Sequence, residues 1–270
     1  EGVSQESKLQ DALMLFELVG AANALPDIKK IAEREKLSFY DALESLLEHE
    51  MNKKEDLRIE RWKKQAKFPR EKTIEEYDFK APEKIDETTI QQLAKDCSWA
   101  NNGSNVIFLG PSGLGKTHLS IALGLKAIEQ NYETRYMTID KLTEVISLAA
   151  NKDKQEEGSH NRKKLLYAMV NVPLLIIDEI ALTDNVSSPM VADFLYQIIY
   201  NRHEKSKSMI LASNKKFDEW IPVFGGDKTR ANAAVDRILE AGIAINIAGE
   251  SYRMVKMRKQ KATAESKIAS

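Results

Sequence analysis

The sequence predicts an α/β protein: a parallel β-sheet between helices, preceded by a small all-α N-terminal domain. Three observations lead there. From Val106 onward, short apolar runs alternate with segments of helical periodicity, as a parallel sheet with crossover helices requires. The first of those runs, Val106-Ile107-Phe108-Leu109, leads into Gly110-Pro111-Ser112-Gly113-Leu114-Gly115-Lys116-Thr117, which spells G-x-x-x-x-G-K-[ST]. Ahead of Phe68-Pro69, apolar residues recur only at helical spacing.

Size and composition narrow the class. A chain of 270 residues can bury one large core or two modest ones. Charged residues make up 30% and no apolar run approaches the roughly 20 residues of a membrane helix, so no membrane span is expected. Cys97 is the single cysteine, which excludes an internal disulfide and a cysteine-rich zinc site and fits a reducing, cytoplasmic setting. The formal net charge of −1 means that any nucleic-acid surface must be local. The chain opens at Glu1 and not Met, so segments upstream are out of view.

Taken in order, residues 1–24 read as a weakly amphipathic helix, with Leu9, Leu13 and Phe16 near helical spacing. Pro26 suits the first position of a second helix running through Ile28 and Ile31. Ser38 with Asp41 resembles a capping box opening a long third helix, apolar at Leu43, Leu46, Leu47, Met51 and Leu57. Residues 1–69 are therefore assigned to the helical domain and 70–105 to a connector containing a helix over 87–100. Cys97 and Trp99 are expected to pack. The α/β core is assigned to 106–257, with strands at 106–109, 134–139, 174–177, 209–212 and 243–247. Helices follow at 118–128, 140–149 and 189–204, and Asp236 to Leu239 fall on another after Gly225-Gly226. The stretch 151–164 is polar and broken by Gly158, and 258–270 reads as a flexible basic tail.

The chemistry centres on the glycine-rich octad. Glycines allow the backbone to wrap an anion with its N–H groups inward, and the positive end of the next helix faces the same point. Gly110 through Thr117, with His118, are the candidate ATP-binding residues: Lys116 reaches the β- and γ-phosphates and the Thr117 hydroxyl ligates Mg²⁺. The run Leu174-Leu175-Ile176-Ile177 ends in Asp178-Glu179, at the strand end where such folds bind ligands. Asp178 is the second Mg²⁺ candidate. Glu179 is the candidate catalytic carboxylate, placed to polarise a water. Asn214, after the strand from Met209, can hydrogen-bond phosphate or that water, or simply begin a turn. Arg237 is either a finger reaching a neighbouring subunit's phosphate or a surface ion pair with Asp236 or Glu240. Arg253 is a second candidate nucleotide-sensing arginine. None of His49, His118, His160 and His203 has metal-ligand spacing.

Between Lys53 and Lys72, nine basic residues stand against four acidic ones, with Trp62 and Phe68 interleaved. Such a stripe can follow a phosphate backbone or be a solvated helix face with internal ion pairs. The candidates for DNA are Arg58, Arg61, Lys63, Lys64 and Lys67, with Arg162, Lys163 and Lys164 as a second group.

The octad with His118-Leu119, the run 174–179 and Ser213-Asn214 resemble the ATPase core of the IstB/DnaC family of AAA+ ATPases. Phe217-Asp218-Glu219-Trp220, Val223-Phe224-Gly225, Asp236-Arg237-Ile238-Leu239 and Gly249-Glu250-Ser251-Tyr252-Arg253 are similar to its IstB-like branch, the helper ATPases of insertion-sequence transposition. The resemblance covers roughly residues 25–257 and includes Tyr77-Asp78-Phe79. It implies an AAA+ P-loop core, an ATP-dependent oligomer on duplex target DNA and an IstA-like transposase as partner, with hydrolysis releasing or remodelling the complex. The chain departs from the family at Ile180 to Asp184, where a Gly-Tyr-rich loop is usual. The alternative within the family is a DnaC-like helicase loader that grips single-stranded DNA and a helicase. Outside it stand a small-molecule kinase, for which no acceptor-binding lid is visible, and a nucleotide-gated scaffold with little turnover.

Overall fold

The computed structural model describes residues 4–152, 157–181 and 187–251. The candidate Arg253 and the expected basic tail lie outside these residues. The chain divides into two compact units, Glu1–Trp62 and Lys63–Ser270. No helix among the described residues is long and apolar enough to cross a membrane.

The first unit is helical: α1 (Gln5–Leu15), α2 (Val19–Glu35) and most of α3 (Phe39–Ala66). Two helices thus occupy the region read as one helix followed by a proline start. Pro26 lies inside α2, eight residues into it. A proline there cannot bond the carbonyl four residues back, that of Ala22. The Gln10 side chain of α1 donates to that carbonyl instead, at 3.0 Å, so the cost of the missing N–H is offset by a neighbour far along the chain. A second long-range contact starts the same helix. The buried Glu50 carboxylate of α3 accepts the Ala21 N–H at 3.0 Å, supplying the negative charge a helix N-terminus favours. The capping box of α3 forms as expected, with Ser38 N–H donating to Asp41 Oδ2 at 3.1 Å and Asp41 N–H to Ser38 Oγ at 3.2 Å.

The second unit is a three-layer α/β/α core. Its strands are β1 (Asn105–Leu109), β2 (Thr134–Thr138), β3 (Leu174–Ile180), β4 (Ser208–Ser213) and β5 (Gly242–Asn246). All pair in parallel, in the order β2-β3-β4-β1-β5. The central strands are buried on both faces, which is why they read as continuous apolar runs. Val106, Phe108, Ile176 and Ile210 pack toward α4 (Glu87–Lys95) and α5 (Lys116–Glu129). Ile107, Leu175, Ile177 and Leu211 pack toward α6 (Ile139–Lys152), α7 (Glu157–Asn171), α8 (Pro189–Glu204) and α9 (Lys228–Glu240).

Two helices differ from expectation. The helix expected over 87–100 stops at Lys95 and continues as a separate 3₁₀ turn, Ser98–Asn101; Cys97 and Trp99 are buried there as packing residues. Of the polar stretch read as broken at Gly158, residues 157–164 form the start of α7, with Gly158 in its first turn. Its polar first half hides the periodicity. Leu165, Leu166, Met169 and Val170 carry the buried face in the second half, and packing against α6 and α8 supplies the stabilisation that local propensity lacks.

The end of α7 is held by Arg202 of α8, a fully buried arginine with no carboxylate among its hydrogen-bond partners in the described residues. Its guanidinium donates to the carbonyls of Met169 (2.5 Å), Val172 (2.9 Å) and Pro173 (2.9 Å), and also to that of Ser208. It thereby joins the helix terminus to the starts of β3 and β4. Burial pushes its pKa well below the usual arginine value.

Candidate functional site

Strand order decides what can meet. Because β4 lies between β1 and β3, the residue leaving β4 emerges between the glycine-rich loop after β1 and the acids at the tip of β3. Asn214 is that residue. Crevices at the carboxyl ends of parallel strands are where open α/β sheets take ligands. Here a cleft of about 650 Å³ is lined by Lys116, Thr117, Asp178, Glu179 and Asn214 together. Residues nearly a hundred positions apart in sequence thus share one wall.

The loop has the conformation an amide cradle needs. Gly115, at φ 84°, is the N-cap of α5, and a Cβ on it would stand 2.5 Å from the Tyr77 ring. Gly110, at φ 148°, passes so close to the Ile247 carbonyl that a side chain would collide with it. Lys116 is nearly buried, and its Nζ donates to the carbonyls of Gly110 (2.6 Å) and Pro111 (2.8 Å). Burial lowers its pKa, an effect opposed by the charge of Asp178.

The strand tip is irregular. Ile177 pairs with Leu211, yet the next pairing joins Ile180 to Ser213, so β3 carries one extra residue and bulges at Asp178-Glu179. Glu179 takes a left-handed φ of 59° and Ala181 one of 57°. Such backbone costs of order 1 kcal/mol or more for a non-glycine residue and persists only where its surroundings hold it. Ser213 does the holding: its hydroxyl donates to the Ile180 carbonyl at 2.6 Å and accepts the Trp220 indole N–H at 3.1 Å. The result is a buried Asp178 beside an exposed Glu179.

Asp178 is held on both oxygens. Oδ1 accepts the Glu179 N–H at 2.8 Å and Oδ2 the Tyr136 hydroxyl at 2.9 Å. Burial and the neighbouring Asp178 charge push the Tyr136 pKa far up, so the phenol stays a donor. Each carboxylate oxygen keeps a free lone pair. Asn214 Oδ1 is buried and accepts no hydrogen bond from the described residues. An orphaned acceptor of this kind suits a water O–H or a cation, and the amide cradle, ammonium and carboxylate around the cleft fit a polyphosphate with its divalent cation. Thr117 and Asp178 would hold the cation, and Lys116 with the loop amides the phosphates.

Sequence reasoning missed the connector's share. Tyr77 donates to the Leu114 carbonyl at 2.8 Å and packs edge-on to His118, with ring centroids 5.3 Å apart. Burial pushes its pKa up to about 12. His118 itself meets the Thr73 carbonyl at 2.7 Å. A second cleft of about 300 Å³ opens between this segment and the loop, bounded by Tyr77, Pro82, Gly113 and His118. Arg70 and Lys72, counted with the basic run, line the main cleft. The motif Tyr77-Asp78-Phe79 was the available signal, since its alternating aromatics do pack against the core.

Other candidates lie elsewhere. Arg237 does not line the cleft of its own chain: it bonds the Ala233 carbonyl at 2.8 Å and lies over the rings of Tyr196 and Tyr200, at 5.8 and 5.0 Å. Of the two surface partners considered for it, Asp236 and Glu240, the second meets His203 at 2.8 Å. Arg58 is turned inward, stacked on Trp62 at 4.7 Å and paired with Glu55. Arg61, Lys64 and Lys67 are exposed and Lys63 half-buried. On α7, Lys163 and Lys164 are exposed, while Arg162 touches the Met190 sulfur at 3.3 Å.

The family profile described as IstB-like ATP binding protein matches residues 11–262. This chain belongs to that family. IstB-like relatives include the protein named for ATP binding in insertion sequence IS5376 of Geobacillus stearothermophilus, 37% identical over 229 residues, covering 85% of this chain and 86% of the relative. Another is its counterpart in IS21 of Pseudomonas aeruginosa, 36% identical over 231 residues, covering 84% and 82%. Among solved structures, the replication initiator DnaA bound to AMPPCP and single-stranded DNA superposes with a TM-score of 0.53 at 17% identity, over 73% of this chain and 56% of that one. DnaI does so with a TM-score of 0.52 at 16% identity, over 66% and 91%. At such identities the likeness concerns the fold: an AAA+ P-loop core, as the motifs implied.

Proposed function

We propose that this IstB-like chain binds ATP with Mg²⁺, hydrolyses it, and works on duplex DNA as an ATP-dependent oligomer alongside an IstA-like transposase. The observation that carries the reading is the convergence of Lys116, Thr117, Asp178, Glu179 and Asn214 on one cleft. The names of its relatives, which place them in insertion sequences, supply the setting.

In this reading the loop amides and Lys116 bind the triphosphate, and the smaller cleft beside Tyr77 takes the base. Bound Mg²⁺ would neutralise phosphate charge and act as a Lewis acid. Glu179, exposed beside the anchored Asp178, accepts a proton from an attacking water, and Asn214 orients that water or the terminal phosphate. Arg237 acts across a subunit boundary. Arg253 would be the second arginine to sense nucleotide. The exposed Arg61, Lys64 and Lys67, with Lys163 and Lys164, bind the DNA backbone, and we take the helical domain assigned from sequence to 1–69 to contribute that function.

Steady-state phosphate release, with and without duplex DNA, tests the proposal. The intact protein should release phosphate and respond to DNA, whereas Glu179→Gln should keep ATP binding and lose at least about a hundredfold in turnover, the scale of general-base assistance. Normal turnover in Glu179→Gln would remove that residue from the mechanism.

A further inference from the structure

Register explains how Tyr136 comes to touch Asp178. On β3, Ile176 and Asp178 point to the same face, because side chains alternate along a strand. Tyr136 of β2 stands opposite Ile176 and so shares that face. A tyrosine reaches the diagonal neighbour two residues on. The hydroxyl accordingly meets Asp178 Oδ2 at 2.9 Å. Its ring is fixed from the other side by Phe68, edge-on with centroids 6.0 Å apart. Phe68 in turn lies over Gly124 of α5, where a Cβ would stand 3.0 Å from its Cζ. The phenol therefore arrives at the acid on a packed support resting on the helix that begins at Lys116.

We propose that Tyr136 is a positioning residue of the nucleotide site, setting the rotation of the Asp178 carboxylate so that one lone pair of each oxygen faces the cleft. The proposal rests on the reading of Asp178 as the cation-holding acid. With Oδ2 held by the phenol and Oδ1 by the Glu179 N–H, the carboxylate cannot turn about its own axis without losing a bond. The second of those bonds comes from the residue assigned to water activation. The phenol thus keeps the cation-holding acid and the catalytic acid in one fixed relation. Without it, Asp178 keeps its charge and place on β3 but gains freedom of rotation, and the loss appears only where the cation is engaged.

The test measures binding of a fluorescent, non-hydrolysable ATP analogue across a Mg²⁺ titration and in EDTA, for the intact chain, Tyr136→Phe, Tyr136→Leu and Asp178→Asn. Tyr136→Phe should raise the half-saturating Mg²⁺ concentration about ten- to a hundredfold, the worth of one hydrogen bond to a charged group, while leaving binding in EDTA unchanged and lowering the melting temperature by no more than a few degrees. Tyr136→Leu should add a fall in melting temperature, because the ring against Phe68 is gone. Asp178→Asn should abolish the Mg²⁺ dependence. If it does and Tyr136→Phe leaves the half-saturation unchanged or lower, the role of Tyr136 is overturned. Equal losses with and without Mg²⁺ in Tyr136→Phe overturn it too, marking a packing residue. If Asp178→Asn itself keeps the Mg²⁺ dependence, the assignment of Asp178 fails, and the proposal with it.

Discussion

Replacing Gly115 with alanine perturbs the nucleotide cradle through two separable effects. At φ 84°, an L-residue pays roughly 1–2 kcal/mol for the left-handed backbone. The new Cβ would also stand 2.5 Å from the Tyr77 ring, which must then move. Moving it strains the hydroxyl bond to Leu114 at 2.8 Å and the edge contacts to His118 and Phe79. That bond and those contacts together are worth about 1–2 kcal/mol. The free loop can relax by abandoning its native shape, but binding a triphosphate demands that shape back. The full penalty of about 2–4 kcal/mol therefore falls on affinity, predicting ATP binding weakened about 30- to 700-fold. Titration with a fluorescent nucleotide reads it directly. A double-mutant cycle with Tyr77→Ala separates the parts, since removing the ring abolishes the clash and leaves the backbone term. The coupling should be about 1–2 kcal/mol in the direction of rescue. Unchanged affinity in Gly115→Ala, or a coupling of zero, would refute the reasoning.

Other consequences follow from the packing and the caps. Arg202→Met strands carbonyls of Met169, Val172, Pro173 and Ser208 in the interior and should cost about 3–5 kcal/mol, read as a lower urea midpoint; a change below about 1 kcal/mol would mean that those carbonyls find other donors. Asp86, the N-cap of α4, has its carboxyl held below the ordinary aspartate value of 3.8, first by the Thr89 N–H and then by the Thr89 hydroxyl. A folded-state pKa lowered in this way contributes stability above pH 3.8 that disappears as pH falls through the folded value, so the melting-temperature gap between the intact chain and Asp86→Ala should be full at pH 7 and close at lower pH. A gap that persists at the acid end would assign the effect to something other than the charge. Arg237→Ala should lower turnover without lowering ATP affinity, and mixing it with Lys116→Ala protein should restore part of the activity; no change on mixing would argue against action between subunits.

Much of the core was legible because its information is local. The strand–loop–helix around Lys116 depends on glycines and a helix start adjacent in sequence, and the runs at 174–177 and 209–212 are apolar because both sheet faces are covered. Where a local signal was weak, the reading failed for an identifiable reason. Pro26 looks like a helix start until Gln10, sixteen residues earlier, accounts for the Ala22 carbonyl. The polar first turns of α7 show no periodicity, since the helix is held largely by packing between α6 and α8.

By itself, then, the sequence named the candidate residues that share the cleft: the loop glycines, Lys116, Thr117, the paired acids and Asn214. Tertiary structure alone decided their relation. The insertion of β4 between β1 and β3 brings Asn214 between loop and acids. The bulge held by Ser213 buries Asp178 and exposes Glu179. The connector sets Tyr77 against the loop and lines the cleft with Arg70 and Lys72, which charge counting had placed only in the basic run between Lys53 and Lys72. The physical reason is the same in each case: strand order, register and long-range hydrogen bonds are settled by what packs together across the sheet, and no short stretch of chain contains that information.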